Sequence, residues 1–131
     1  MLGLVLLRVV LGLIFLTHGY LKLFSRGFGP RRFAAYLRDE GVPFPRVTGY
    51  AIGVLELVAG SLLMAGVGVH VCATLLALHV FVALVTVGPK KGFTRLPDNA
   101  GFEYELVLLA GLIAVIFTAP AGYALGDFIF R

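Results

Sequence analysis

The sequence predicts an all-α membrane protein, an up-down bundle of four transmembrane helices forming a single domain over residues 1–131. Three observations predict it. Of the 131 residues, 60% are hydrophobic and 14% charged, with a mean hydropathy of +0.99; a soluble domain of this length is less apolar and more charged. Four stretches, 2–24, 47–66, 69–87 and 102–119, each approach the roughly 20 apolar residues that cross a bilayer core of about 30 Å. Nine of the eleven Lys and Arg residues sit in or beside two of the three connections.

The elements follow in order. The first stretch has no basic leader, Arg8 interrupts its apolar run, and no small-residue cleavage site follows. It reads as a retained span and not as a signal peptide. The connection 25–46 contains "RRFAAYLRDEG", in which Phe33, Tyr36 and Leu37 share a helical face ringed by Arg31, Arg32 and Arg38. That pattern predicts a short amphipathic helix on the membrane surface, with an ordinary solvated loop as the alternative. The second and third spans are joined only by "GVGVH", too short for anything but a tight turn. The connection 88–101, "GPKKGFTRLPDNAG", is punctuated by Pro89 and Pro97 and leads to the fourth span.

Lys22, Arg26, Arg31, Arg32, Arg38 and Arg46 belong to the first connection; Lys90, Lys91 and Arg95 belong to the third. The positive-inside bias places both in the cytoplasm and both termini outside. The net charge of +4 thus marks membrane orientation, and nucleic acid is not an expected partner. The one cysteine, Cys72, allows no disulfide within the chain and no CxxC pair. No phosphate loop, nucleophile elbow or zinc spacing is present, and no metal site is expected.

A charge at membrane depth costs at least about 2.5 kcal/mol and so faces a partner or a cavity. At 1.5 Å per residue, Arg8 lies about 9 Å from the outer end of its span, and Glu56 and His79 both near 15 Å. All three lie on faces rich in small residues, which mark close helix contacts. Arg8, Glu56 and His79 are therefore expected to form one polar pocket, with Arg8 reaching Glu56. It is either a structural ion pair or a site for a headgroup, a quinone or a proton. His18, Lys22 and Glu103 form a second expected cluster near the cytoplasmic headgroups, with Lys22 at the edge, where a lysine snorkels outward. Glu103 and Glu105 cannot share a helical face. Glu103 aligns with Val107, Ala110, Gly111, Ala114 and Thr118 and is assigned to the interior, and Glu105 to the periphery. Bis-histidine haem ligation by His18 and His79 is disfavoured, because their depths differ by about 9 Å.

Three segments in this order, "LLRVVLGLIFLTHGYLKLF", "GVLELVAGSLLMAG" and "GFEYELVLLAG", resemble the DoxX family of small bacterial membrane proteins. The resemblance covers essentially the whole chain. It rests on Arg8, Gly12, Phe15, His18, Gly19 and Lys22, on Glu56, and on Gly101-Phe102-Glu103. The terminal "APAGYALGD" keeps Pro120, Gly122 and Asp127 only approximately, which leaves a role for Asp127 in doubt. The resemblance implies a four-helix inner-membrane protein. The family takes its name from a subunit of a thiosulfate:quinone oxidoreductase, and other members are implicated in membrane redox and thiol-stress complexes. Architecture transfers across such a family better than activity does.

The expected function is that of a small inner-membrane subunit associated with quinone- or thiol-linked electron transfer. A quinone is the candidate ligand, and no cofactor site is evident. The redox centres would belong to protein partners, so the chain is not expected to be catalytic on its own. A structural subunit or assembly factor, a small-molecule or proton carrier, and a homo-oligomer remain open alternatives.

Overall fold

The structure, a computed structural model, describes residues 2–27 and 29–118. The terminal segment with Pro120, Gly122 and Asp127 lies outside the described residues. Among those described there are six helical segments: α1 (Leu2–Phe24), α2 (Pro30–Asp39), α3 (Pro45–Ala65), α4 (Val69–Thr86), the single turn α5 (Gly88–Lys91) and α6 (Glu103–Thr118). The described residues form no strand; Leu96 and Asn99 make an isolated antiparallel bridge within the last connection. By length and composition α1, α3 and α4 are able to cross a membrane.

Local chemistry sets the boundaries. α2, α3 and α5 open with proline at the first positions, where a missing N–H costs nothing. α3 ends at Gly66, whose φ of 83° is left-handed, and the Val67 N–H reaches back to the Leu62 carbonyl at 2.9 Å. This closes the helix and turns the chain within three residues into α4.

The four long helices pack as a ring in the order α1, α3, α4, α6, with α1 most extensively on α3 and α4 on α6. The α1–α3 seam is made of backbone. A Cβ at Gly12 would stand 2.7 Å from the Gly60 carbonyl oxygen, and one at Gly19 would stand 2.7 Å from that of Gly53. Two glycine pairs, each seven residues apart, thus set an antiparallel register in which Gly12 faces Gly60 and Gly19 faces Gly53. The α4–α6 seam works differently. α4 offers Cys72, Ala73 and Ala77, and α6 fills the space with Leu108, Leu112 and Val115. Leu63, Leu76, Leu112 and Val115 are fully buried at the centre.

α2 turns Phe33, Ala34 and Leu37 inward against α3, and Tyr36 stays at the rim. Gly49 makes room there, since a Cβ on it would already touch the Phe33 ring at 3.3 Å. Lys90 Nζ meets Glu40 Oε2 at 3.2 Å, so the first and third connections lie at the same end of the bundle. Large apolar side chains such as Leu13, Val54, Val58, Leu78, Phe81, Val82 and Val107 cover the outer faces. So much exposed apolar surface suits lipid as the surrounding solvent.

Candidate functional site

Midway along α3, three ionisable side chains from three helices converge. Glu56 of α3 is the centre, with its side chain only 4% exposed. Lys22 Nζ of α1 donates to Glu56 Oε1 at 2.7 Å, and His79 Nε2 of α4 lies 2.9 Å from the same oxygen. Against an ionised carboxylate that ring nitrogen must be the donor. The other carboxylate oxygen, Oε2, is buried and has no hydrogen-bond partner among the described residues. The Lys22 and His79 side chains are 13% and 19% exposed, so both are sheltered but not sealed.

The local structure explains the convergence. A helical side chain tilts toward its helix N-terminus. For Lys22 that direction leads back along α1 into the bundle, and its ammonium reaches Glu56 while standing 4.7 Å from the centre of the Phe33 ring. Lys22 therefore does not snorkel outward, and the sequence-based placement at the headgroups is corrected.

The same tilt, toward the α1 N-terminus, carries Arg8 away from Glu56. Gly12 faces Gly60 and Met64, so Arg8 lies one turn outward of Gly12 and Glu56 one turn inward of Gly60. The two are offset by about 12 Å along the seam. Arg8 is buried, at 8% exposure, but not beside Glu56. The expected Arg8–Glu56 pair is overturned by a register that equal counting from the outer ends did not capture. His79 does meet Glu56.

The second expected cluster does not assemble either. His18 is exposed; its Nδ1 donates to the Ile14 carbonyl at 2.7 Å, and its ring centre lies 6.1 Å from that of Tyr104. Glu103 Oε1 accepts the Arg95 backbone N–H at 2.9 Å and so ties down the preceding connection. Lys22 belongs to Glu56.

The fully buried face of α6 is that of Leu108, Leu112 and Val115, in phase with Glu105, while Val107 is 70% exposed. Glu103 and Glu105 are both half-buried, so Glu103 is not the more interior of the two as expected. Glu105 Oε1 meets Lys91 Nζ at 3.5 Å. Small residues did mark a packed face at this seam, but they are supplied by α4, so α6 contributes the large side chains.

Sequence reasoning placed Lys22 in the wrong cluster and overlooked Phe33 beside it. The signal that finds the lysine is the pairing of Gly12 and Gly19 with Gly60 and Gly53. That pairing sets the register and brings the lysine within reach of the glutamate.

A ring of long apolar helices with three ionisable side chains meeting between three of them defines a multi-pass helical membrane protein. The chain belongs to the DoxX family, which its residues 3–89 match. It is 33% identical over 129 residues to a Bacillus subtilis protein named "Putative oxidoreductase CatD", an alignment that covers 98% of this chain and 88% of that one. It is 28% identical over 130 residues to the Mycobacterium tuberculosis "Uncharacterized membrane protein Rv3486", covering 91% of this chain and 76% of the relative. No solved structure matches the chain.

Proposed function

We propose that this protein is a four-span subunit of an electron-transfer assembly in a bacterial inner membrane, and that Lys22, Glu56 and His79 form its site for a quinone. One observation carries the reading: Glu56 receives both protein partners on Oε1, while Oε2 is buried with no hydrogen-bond partner among the described residues. A buried polar atom left unpaired costs about 1–3 kcal/mol, and more when charged. A ligand hydroxyl on Oε2 removes that cost.

The residues fit a ligand whose oxygen alternates between carbonyl and hydroxyl. Lys22 carries three N–H groups and uses one on Glu56, so it has donors left for a carbonyl oxygen. Glu56 Oε2 is the acceptor for a hydroxyl, and it can hold the proton that such a group releases. A quinone, when bound, supplies two-electron, two-proton carrier chemistry. The name of the Bacillus subtilis relative agrees with this class of reaction. The metal or flavin centres that pass electrons would sit on partner proteins.

The test is mass spectrometry of gently solubilised protein, reading small ligands and partner proteins together. The wild type should retain a quinone in near-stoichiometric amount, and Glu56→Gln, which keeps shape but removes the charge, should lose most of it while remaining folded. A folded wild type with no quinone at any stage of purification would defeat the reading.

A second reading has its own support. The triad ties α1, α3 and α4 together, as a structural strut would. In that case Glu56→Gln should lower stability and leave partner association and ligand content unchanged.

The proposed orientation puts both basic connections in the cytoplasm. Single cysteines introduced at Lys91 and at Arg131, in a Cys72→Ala background, are expected to be protected from and reached by an impermeant external thiol reagent, respectively. The opposite labelling pattern would invert the topology.

A further inference from the structure

Where α1 hands over to α2, a cavity of about 400 Å³ opens beside the second turn of α3. Arg26, Arg31 and Arg32 line it together with Ser25, Pro30 and Tyr50, and no described acidic residue is part of its lining. Arg32 Nη1 donates to the Gly27 carbonyl at 2.7 Å, which fixes one guanidinium at the wall. At Gly29 the wall is bare backbone, because a Cβ there would collide with the Ser25 carbonyl oxygen.

Three guanidiniums around one cavity repel each other. Arg31 and Arg32 also stand in the first turn of α2, which has no acidic residue; the helix dipole disfavours cations at that end. A bias toward basic cytoplasmic loops accounts for the number of arginines but not for their gathering at one cavity. A single anion relieves both penalties, and the planar fork of arginine matches phosphate oxygens in pairs.

The location selects the source of the phosphate. Tyr20, Phe24 and Tyr50 lie at this end of α1 and α3 and are 54%, 61% and 53% exposed, with the Tyr20 and Phe24 ring centres 5.3 Å apart. Exposed aromatic residues at helix ends mark headgroup depth. The geometry points to the phosphate of an anionic phospholipid headgroup in this cavity. The inference rests on the membrane-spanning arrangement and is independent of what the triad binds.

Native mass spectrometry of the full chain, released from micelles doped with phosphatidylglycerol or phosphatidylcholine, tests it. Phosphatidylglycerol should remain as a one-to-one adduct and phosphatidylcholine should not. Arg26→Gln with Arg31→Gln should weaken that adduct about thirtyfold, the effect expected of two basic contacts near a lipid surface. Arg38→Gln with Arg46→Gln removes the same charge from the same connection outside the cavity and should leave the adduct intact. If the first pair fails to fold, Arg26→Gln alone is compared with Arg46→Gln alone. Glu56→Gln should retain the lipid, so a failure here is separable from a failure at the triad.

Equal retention of the two lipids, or equal loss in the two arginine pairs, overturns the proposal. So does inorganic phosphate that displaces the lipid at matching concentration, because the cavity would then select a free anion.

Discussion

Alanine at Gly19 is expected to lower the stability of the protein by about 1–3 kcal/mol, the usual cost of forcing atoms into a packed seam. The added Cβ would stand 2.7 Å from the Gly53 carbonyl oxygen and closer still to the Leu57 backbone nitrogen. Both obstacles are main chain, so neither can rotate away, and α1 and α3 must move apart. Replacing glycine by alanine inside a helix otherwise gains up to about 1 kcal/mol of propensity, so the sign of the change separates the two effects. Gly3→Ala isolates the propensity gain, because nothing lies within 4 Å of the new Cβ. At Gly111 the nearest atom is a Leu11 methyl at 3.3 Å, which can shift, and little change is expected. Unfolding in mixed detergent micelles, followed by circular dichroism, should rank Gly3→Ala as most stable and Gly19→Ala as least. Valine at Gly19 should be worse than alanine. A Gly19→Ala protein as stable as wild type would mean that the two helices do not touch at their backbones.

The second large effect is expected at the triad. Lys22→Met removes the cation 2.7 Å from Glu56 Oε1 and leaves a carboxylate that is 4% exposed with His79 as its remaining partner. Breaking a buried ion pair on one side typically costs about 3–5 kcal/mol, and protonation of Glu56 or His79 would return part of it. Adding Glu56→Gln to Lys22→Met should recover much of the loss, because no uncompensated charge then remains buried. Arg8→Met with Glu56→Gln is the control. Those two residues are offset by about 12 Å along the α1–α3 seam, and their effects should add. A double-mutant cycle in which Arg8 couples to Glu56 and Lys22 does not would overturn the register described for α1 and α3.

The two predictions share a cause. The glycines that bring α1 against α3 also fix which ionisable groups meet. Close backbone approach leaves one sliding position in which Gly12 lies on Gly60 and Gly19 on Gly53. In that position the inward-tilted Lys22 reaches Glu56. Loosening the seam at Gly19 should therefore weaken the triad as well, since the ammonium has little slack at 2.7 Å.

Much of the protein is determined by its sequence alone. Runs of apolar residues long enough for a bilayer, prolines at helix starts and the Gly66–Gly68 turn specify where α1, α3 and α4 begin and end. These are local properties, set by hydropathy and by allowed backbone angles over a few residues. The importance of Glu56 is equally local in origin, because a carboxylate in the middle of an apolar helix is costly wherever the helix packs. The partner of that carboxylate is a different matter. Counting residues from the outer ends put Arg8 nearest, and small residues alone put Glu103 inside, because both arguments treat each helix by itself. Register and facing depend on pairs of helices: on which glycine meets which carbonyl, and on which side of a seam supplies the small residues. Only the tertiary structure decided that Lys22 reaches inward to Glu56, that Arg8 stays about two turns away, and that α6 turns its leucines inward to α4. The physical reason is that steric fit between two backbones is a property of neither sequence segment taken singly.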